Sequence, residues 1–131
     1  MFPLVLKQCL VVGAGGFLGA IARFLIHTWV SGRYGNQFPW ATFGINVSGS
    51  FLLGLLMSLV LARIVSDPWR LFFAVGFLGA YTTFSTFEYE TARSTSLFLA
   101  LANVLGSVLA GYLAVRLGIR LGQGWSHLSH V

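Results

Sequence analysis

The chain is poor in charge, in acid and in cysteine. Three carboxylates, Asp67, Glu88 and Glu90, stand against eight lysines and arginines, and only 8% of the 131 residues are charged. The single cysteine, Cys9, excludes an internal disulfide and reads as a small buried hydrophobe. No His, Cys, Asp and Glu set has the spacing of a transition-metal site; His27 lies at a segment end, His127 and His130 in the tail. Neither a nucleophile–base set nor a glycine-rich phosphate loop emerges, so the expectation is a protein that is not an enzyme. Gly13-Ala14-Gly15-Gly16-Phe17-Leu18-Gly19 has glycines like a dinucleotide fingerprint but no βαβ context. The net charge of +5 is scattered, mostly near segment ends, and forms no basic patch for nucleic acid.

What the chain has in abundance is apolar surface. It is 56% hydrophobic with a mean hydropathy of +0.82, more than one soluble core of this size can hide. The expectation is one membrane domain over residues 1–131. A helix needs about 20 apolar residues to cross the hydrocarbon. Four runs qualify: residues 4–29, 41–63, 69–93 and 97–117. The first is too long for a signal peptide and lacks a small-residue cleavage site. Residues 31–39 are turn-rich, Ser66-Asp67-Pro68 is a helix-start pattern, and Arg93-Ser94-Thr95-Ser96 is a short polar link. Residues 122–131 read as a polar, frayed tail. Trp29, Trp40, Trp69 and Trp125 fall at or just past segment ends, where an interfacial belt belongs. With four spans, Lys7, Arg63, Arg70, Arg116 and Arg120 share one side; Arg23, Arg33 and Arg93 lie opposite. That asymmetry is weak and compatible with insertion in both orientations.

Polar residues recur inside these segments at helical spacing. Thr42, Asn46, Ser50 and Gly54 share one face of the second, and Asn103, Ser107 and Gly111 repeat the arrangement in the fourth. The third has Thr82, Thr86 and Glu90 at steps of four. Together they favour a lined pathway; each also suits close helix packing, and Asn46 suits a helix–helix hydrogen bond. Gly15 and Gly19 in the first segment read as packing residues. Arg23, one turn beyond Gly19, has a structural reading: it snorkels or bonds a neighbour's carbonyls. Glu90 continues the third stripe to a pathway mouth, or pairs with Arg93.

The third segment carries the most information. Gly79-Ala80-Tyr81-Thr82-Thr83-Phe84-Ser85-Thr86-Phe87 puts hydroxyls and phenyl rings where a lipid-facing helix would carry Leu, Ile and Val. A break near Gly79–Thr83 frees carbonyls that suit an unhydrated cation such as sodium, and two chains at a two-fold axis would complete its shell. Phe84 and Phe87, three apart, share a face. Ring edges are electropositive, so with Asn46, Ser85, Thr86 and Ser107 as donors they suit a small hydrated anion. The plain alternative is a pair of core aromatics.

Two motifs are specific. One is Gly76-Phe77-Leu78-Gly79-Ala80-Tyr81-Thr82-Thr83-Phe84-Ser85-Thr86-Phe87 followed by Glu90; the other is Thr42-x-x-x-Asn46-x-x-Gly49-Ser50-x-x-x-Gly54. With the looser Gly19-Ala20-x-x-Arg23 and Asn103-Val104-x-x-Ser107-x-x-x-Gly111, the chain resembles the small bacterial fluoride channels called Fluc or CrcB proteins over essentially its whole length. The resemblance implies an all-α membrane protein of four transmembrane helices with the third broken near its centre. It implies an antiparallel, dual-topology homodimer in the bacterial plasma membrane, with two fluoride pores lined by both subunits. Phe84 and Phe87 would be the pore phenylalanines and Asn46 the pore asparagine. Ser107 would be the fourth-helix serine, with Ser85 and Thr86 in the polar track. A central structural sodium would be held by backbone carbonyls of Gly79 and Thr82 from both chains. Ala80 and Ala41 replace residues often glycine in the family, and Gly111 replaces a hydroxyl found in some relatives. Two other readings compete: a proton-coupled small multidrug-type exporter, which should carry a carboxylate in its first span, and a non-transport helix bundle.

Overall fold

A computed structural model describes residues 2–35 and 37–128. Residue 36 of the 31–39 turn, and His130 with the end of the tail, lie outside the described residues. Among those described, every regular element is helical. Helix α1 spans Phe2–Tyr34, α2 spans Trp40–Leu61 and α5 spans Leu97–Leu128. These three are long and apolar enough to cross a membrane. Between α2 and α5 lie two shorter pieces. Helix α3 runs without interruption from Asp67–Arg70 through a π-helical stretch, Leu71–Leu78, to Gly79–Tyr81. Helix α4 is Phe84–Ala92. The third expected span is therefore two half-helices.

Several boundaries move from the sequence expectation. Nothing after Trp29 breaks α1 until Gly35, whose φ of +72° and N–H bond to the Ser31 carbonyl (3.1 Å) end the helix. At the other end of the chain, α5 continues well past residue 117 into the expected tail. Gly118 and Gly122 press it against α2: a Cβ on Gly118 would meet the Phe51 carbonyl, and one on Gly122 would meet Ser58 Oγ. Ser66 occupies the N-cap position of α3 without a side-chain capping bond, and Asp67 instead pairs with Arg70 at 2.8 Å. Cys9 is exposed rather than buried.

The helices pack chiefly as two pairs, α1 with α3 and α2 with α5. In the first pair, a Cβ on Gly15 would run into the Phe72 carbonyl and one on Gly19 into that of Phe77. Backbone meets backbone, as small residues at four-residue spacing allow. The buried core is small, centred on Ile45, Leu78 and Tyr81. Tyr81 stacks on Phe77 with ring centroids 5.8 Å apart, and its hydroxyl meets Ser48 Oγ at 3.0 Å. Much of the rest is turned outward: Leu10, Phe17, Phe24, Leu105, Leu109 and Leu113 are all exposed. That exterior suits hydrocarbon or another apolar surface, not water.

Glycine spacing yields a paired prediction. Gly19→Ala should cost about 1–3 kcal/mol by overpacking. Gly13→Ala, whose Cβ meets nothing within 4 Å, should be neutral or slightly stabilising. Thermal unfolding of the two variants in detergent checks the contrast.

Candidate functional site

The centre of the site is the gap between α3 and α4. Thr82 (φ −75°, ψ 156°) and Thr83 (φ −149°, ψ 120°) are both extended. β-Branched residues tolerate that geometry well. Gly79, by contrast, is helical, so the chain opens at the threonines. In a continuous helix the Thr83 N–H would bond the Gly79 carbonyl. Instead it donates to Asn46 Oδ1 at 2.8 Å, and Asn46 Nδ2 donates to the Thr83 carbonyl at 3.0 Å. The Asn46 amide thus satisfies both main-chain groups of Thr83, much as a neighbouring strand would. Gly49, three residues on, makes room for the break: its Cβ would collide with Thr82 Cγ2.

Thr83 also starts α4. Its Oγ1 accepts from the Thr86 N–H at 3.3 Å and donates to Thr86 Oγ1 at 3.0 Å. This is N-capping by a hydroxyl residue. Thr82 looks the other way, its Oγ1 donating to the Leu78 carbonyl at 2.9 Å. The break takes Thr82 out of helical register with Thr86, so the expected Thr82–Thr86–Glu90 stripe is interrupted. Thr86 and Glu90 alone share the face of α4.

Two cavities flank α4. The smaller, about 300 Å3, is lined by Asn46, Ser50, Gly79, Thr82, Thr83 and Phe84 among others. The larger, about 740 Å3, lies along the other end of α4 and includes Thr86, Glu90, Asn103 and His27. Phe84 and Phe87 approach with ring centroids 5.9 Å apart and planes tilted by 38°. Phe87 is 7% exposed and Phe84 is 74% exposed. Ser85 is exposed at the first turn of α4. Ser107 Oγ donates to Asn103 Oδ1 (3.2 Å), Asn103 Nδ2 to Thr91 Oγ1 (2.7 Å), and Thr91 Oγ1 to the Phe87 carbonyl (2.7 Å). This relay ties α5 to α4, so Ser107 belongs to a network that continues to the main chain beneath Phe87.

Glu90 does not pair with Arg93. Its Oε1 meets His27 Nε2 of α1 at 3.3 Å, while Arg93 lies 5.6 Å above the Tyr89 ring. Glu90 Oε2 and Thr42 Oγ1 are the buried side-chain polar atoms without a partner among the described residues. Arg23 is half-buried on α1, one turn before His27. The residues that sequence reasoning passed over are Thr83, Thr91 and His27. His27 and Glu90 are 63 positions apart, and nothing local signals their meeting.

The family model described as "CrcB-like protein, Camphor Resistance (CrcB)" matches residues 10–119. The chain belongs to the CrcB family. Asn46, the break, both phenylalanines, Glu90 and Ser107 all lie within the CrcB match. Over 84 residues the chain is 52% identical to the "Fluoride-specific ion channel FluC" of Acidobacterium capsulatum, covering 63% of this chain and 67% of that one. A protein of the same name from Solibacter usitatus is 48% identical over 101 residues, 74% of this chain and 83% of the relative. Another, from Thermus thermophilus, is 47% identical over 85 residues, 65% and 67% of the two chains.

The Asn46–Thr83 contact predicts a specific stability pattern. Asn46→Ala strands two buried main-chain groups, at about 1–3 kcal/mol for each group left unpaired. Thr83→Ala loses the cap, about 1 kcal/mol, while Thr83→Ser keeps it. The expected order of unfolding midpoints in detergent is wild type and Thr83→Ser highest, then Thr83→Ala, then Asn46→Ala.

Proposed function

We propose that the chain is a passive fluoride-selective channel of the bacterial plasma membrane, working as an antiparallel, dual-topology homodimer with two pores. The observation that carries this reading is the break at Thr82–Thr83, which opens the N-terminus of α4 and the Phe84 ring onto a cavity. A helix N-terminus presents partial positive charge from its first-turn N–H groups. A phenyl edge adds a weaker attraction of the same sign. Neutral groups of this kind let an anion shed water without trapping it, as a lysine or arginine would. The names carried by the similar proteins point to the same ion.

On this reading α3 and α4 together make the third of four crossings. Phe84, Ser85, Thr86 and Phe87 line the route, Ser107 supports it through the Asn103–Thr91 relay, and Glu90 stands at its mouth. Asn46 fixes the main chain of the break, and its second amide hydrogen remains a donor for the ion. The exposed ring of Phe84 favours a second copy completing the wall, and the apolar exterior offers surface for it. Among the described residues, buried Thr42 Oγ1 and Glu90 Oε2 lack partners, which suits a track that carries water or an ion.

The same break fits a structural sodium ion. The Gly79 carbonyl has lost its helical donor to Asn46, and the carbonyl of extended Thr82 is released from the helix axis; both residues line the smaller cavity. Neutral carbonyl oxygens are hard ligands of the type sodium accepts. One chain offers few of them, so Gly79 and Thr82 of two copies would hold the ion, which would anchor the break.

A proton-coupled exporter gains no support, because α1 carries no carboxylate. Proteoliposomes test the channel reading directly. Fluoride should leave rapidly, chloride slowly, and Phe84→Ile and Phe87→Ile should each slow fluoride at least tenfold. Equal chloride and fluoride flux would remove the selectivity, wild-type rates in both variants would remove the phenylalanines from the route, and no protein-dependent flux at all would favour a non-transport bundle. For the sodium ion, Thr82→Ala should conduct better than Thr82→Lys, because main-chain oxygens are the ligands.

A further inference from the structure

The larger cavity brings Glu90 together with a histidine that the channel reading leaves unused. His27 comes from α1 and Glu90 from α4, and they meet at 3.3 Å in its wall. The side chains are 41% and 23% exposed. Glu90 Oε1 is engaged by the imidazole, while Oε2 is buried with no partner. An ionised carboxylate only accepts, so the contact fixes the proton of neutral His27 on Nε2 and leaves Nδ1 as the basic atom.

We propose that His27 is a positioning and charge-setting residue for Glu90, making passage of the anion through this vestibule depend on pH. This rests on the fluoride reading above. In acid, a proton from water adds to His27 Nδ1, and the imidazolium balances the carboxylate. In base that proton returns to water, the vestibule loses one positive charge beside Glu90, and an anion is held less favourably. Histidine is the side chain suited to such exchange near neutral pH.

The surroundings leave this pair in control. From α4, Tyr89 and Arg93 also line the cavity, but the Arg93 guanidinium lies over the Tyr89 ring, 5.6 Å from its centroid. Glu88 is exposed. Arg23 precedes His27 by one turn on α1. The segment before α2 contributes Gln37 and Pro39, and α5 contributes Leu99, Ala100 and Asn103, none of which titrates. Gain or loss of one charge at His27 changes the field that a low-dielectric cleft focuses on an entering ion.

The test is fluoride efflux from proteoliposomes with equal pH on both sides, at pH 6 and pH 8. Leak of the neutral acid is subtracted with protein-free vesicles. Wild type should run roughly 3- to 10-fold faster at pH 6 than at pH 8. His27→Gln should be slow and flat across this range, and His27→Lys fast and flat, because each fixes the local charge. A flat wild-type profile, or variants that keep the wild-type slope, would overturn this inference and leave the channel reading standing. No protein-dependent fluoride efflux at either pH would overturn the channel reading and this inference with it.

Discussion

A break in a helix at membrane depth must find partners for the main-chain groups it releases, and Asn46 supplies them. Water is scarce in such a place, and each unpaired group costs about 1–3 kcal/mol. The two hydrogen bonds to Thr83 meet that demand with one side chain from α2. Everything distinctive nearby follows from them. The Gly79 carbonyl is released, Thr82 becomes extended against Gly49, and Thr83 is placed to cap α4. Asn46 is thus a main-chain ligand across the gap.

The rest of the chain holds that contact in place. Helix α3 is fastened to α1 by glycines that let carbonyls nest against the neighbouring backbone, and α2 is fastened to α5 the same way. Helix α4 hangs between the two pairs. It is held by its cap, by the Thr91–Asn103 bond to α5 and by Glu90 against His27 of α1. The π-helical stretch before the break widens α3, and such distortions concentrate at functional sites. Few apolar side chains are buried, so these directional contacts carry much of the specificity of the fold.

The long helices were legible because their signal is simple: apolar runs of membrane length bounded by turn residues. Helix ends were less so, since α1 and α5 continue wherever nothing local stops them. The glycine pair at Gly15 and Gly19 could be read as packing from spacing alone. The polar segment from Thr82 to Phe87 announced an irregularity, but its register did not follow. Threonine suits a helical stripe and an extended break alike, and only the partner across the gap decides. For Asn46 the helix–helix and pathway readings both stayed open. The observed partner is a neighbouring segment's backbone, and one amide hydrogen is left over. Ser107 and Glu90 stood out as polar residues among apolar ones. Asn103, the partner of Ser107, lies one turn back on the same stripe of α5, whereas the Asn103–Thr91 bond and the Glu90–His27 contact depend on how helices cross, which a single sequence does not encode locally.

The brevity of α4 has an electrical consequence. Phe84 and Glu90 lie six residues apart on one helix, about 9 Å along its axis. That is under a third of a hydrocarbon layer about 30 Å thick. A voltage of 100 mV across the full layer does about 2.3 kcal/mol of work on a unit charge, so this stretch receives about 0.7 kcal/mol. Most of the electrical work on a charged species crossing the layer would therefore be done outside the length of α4.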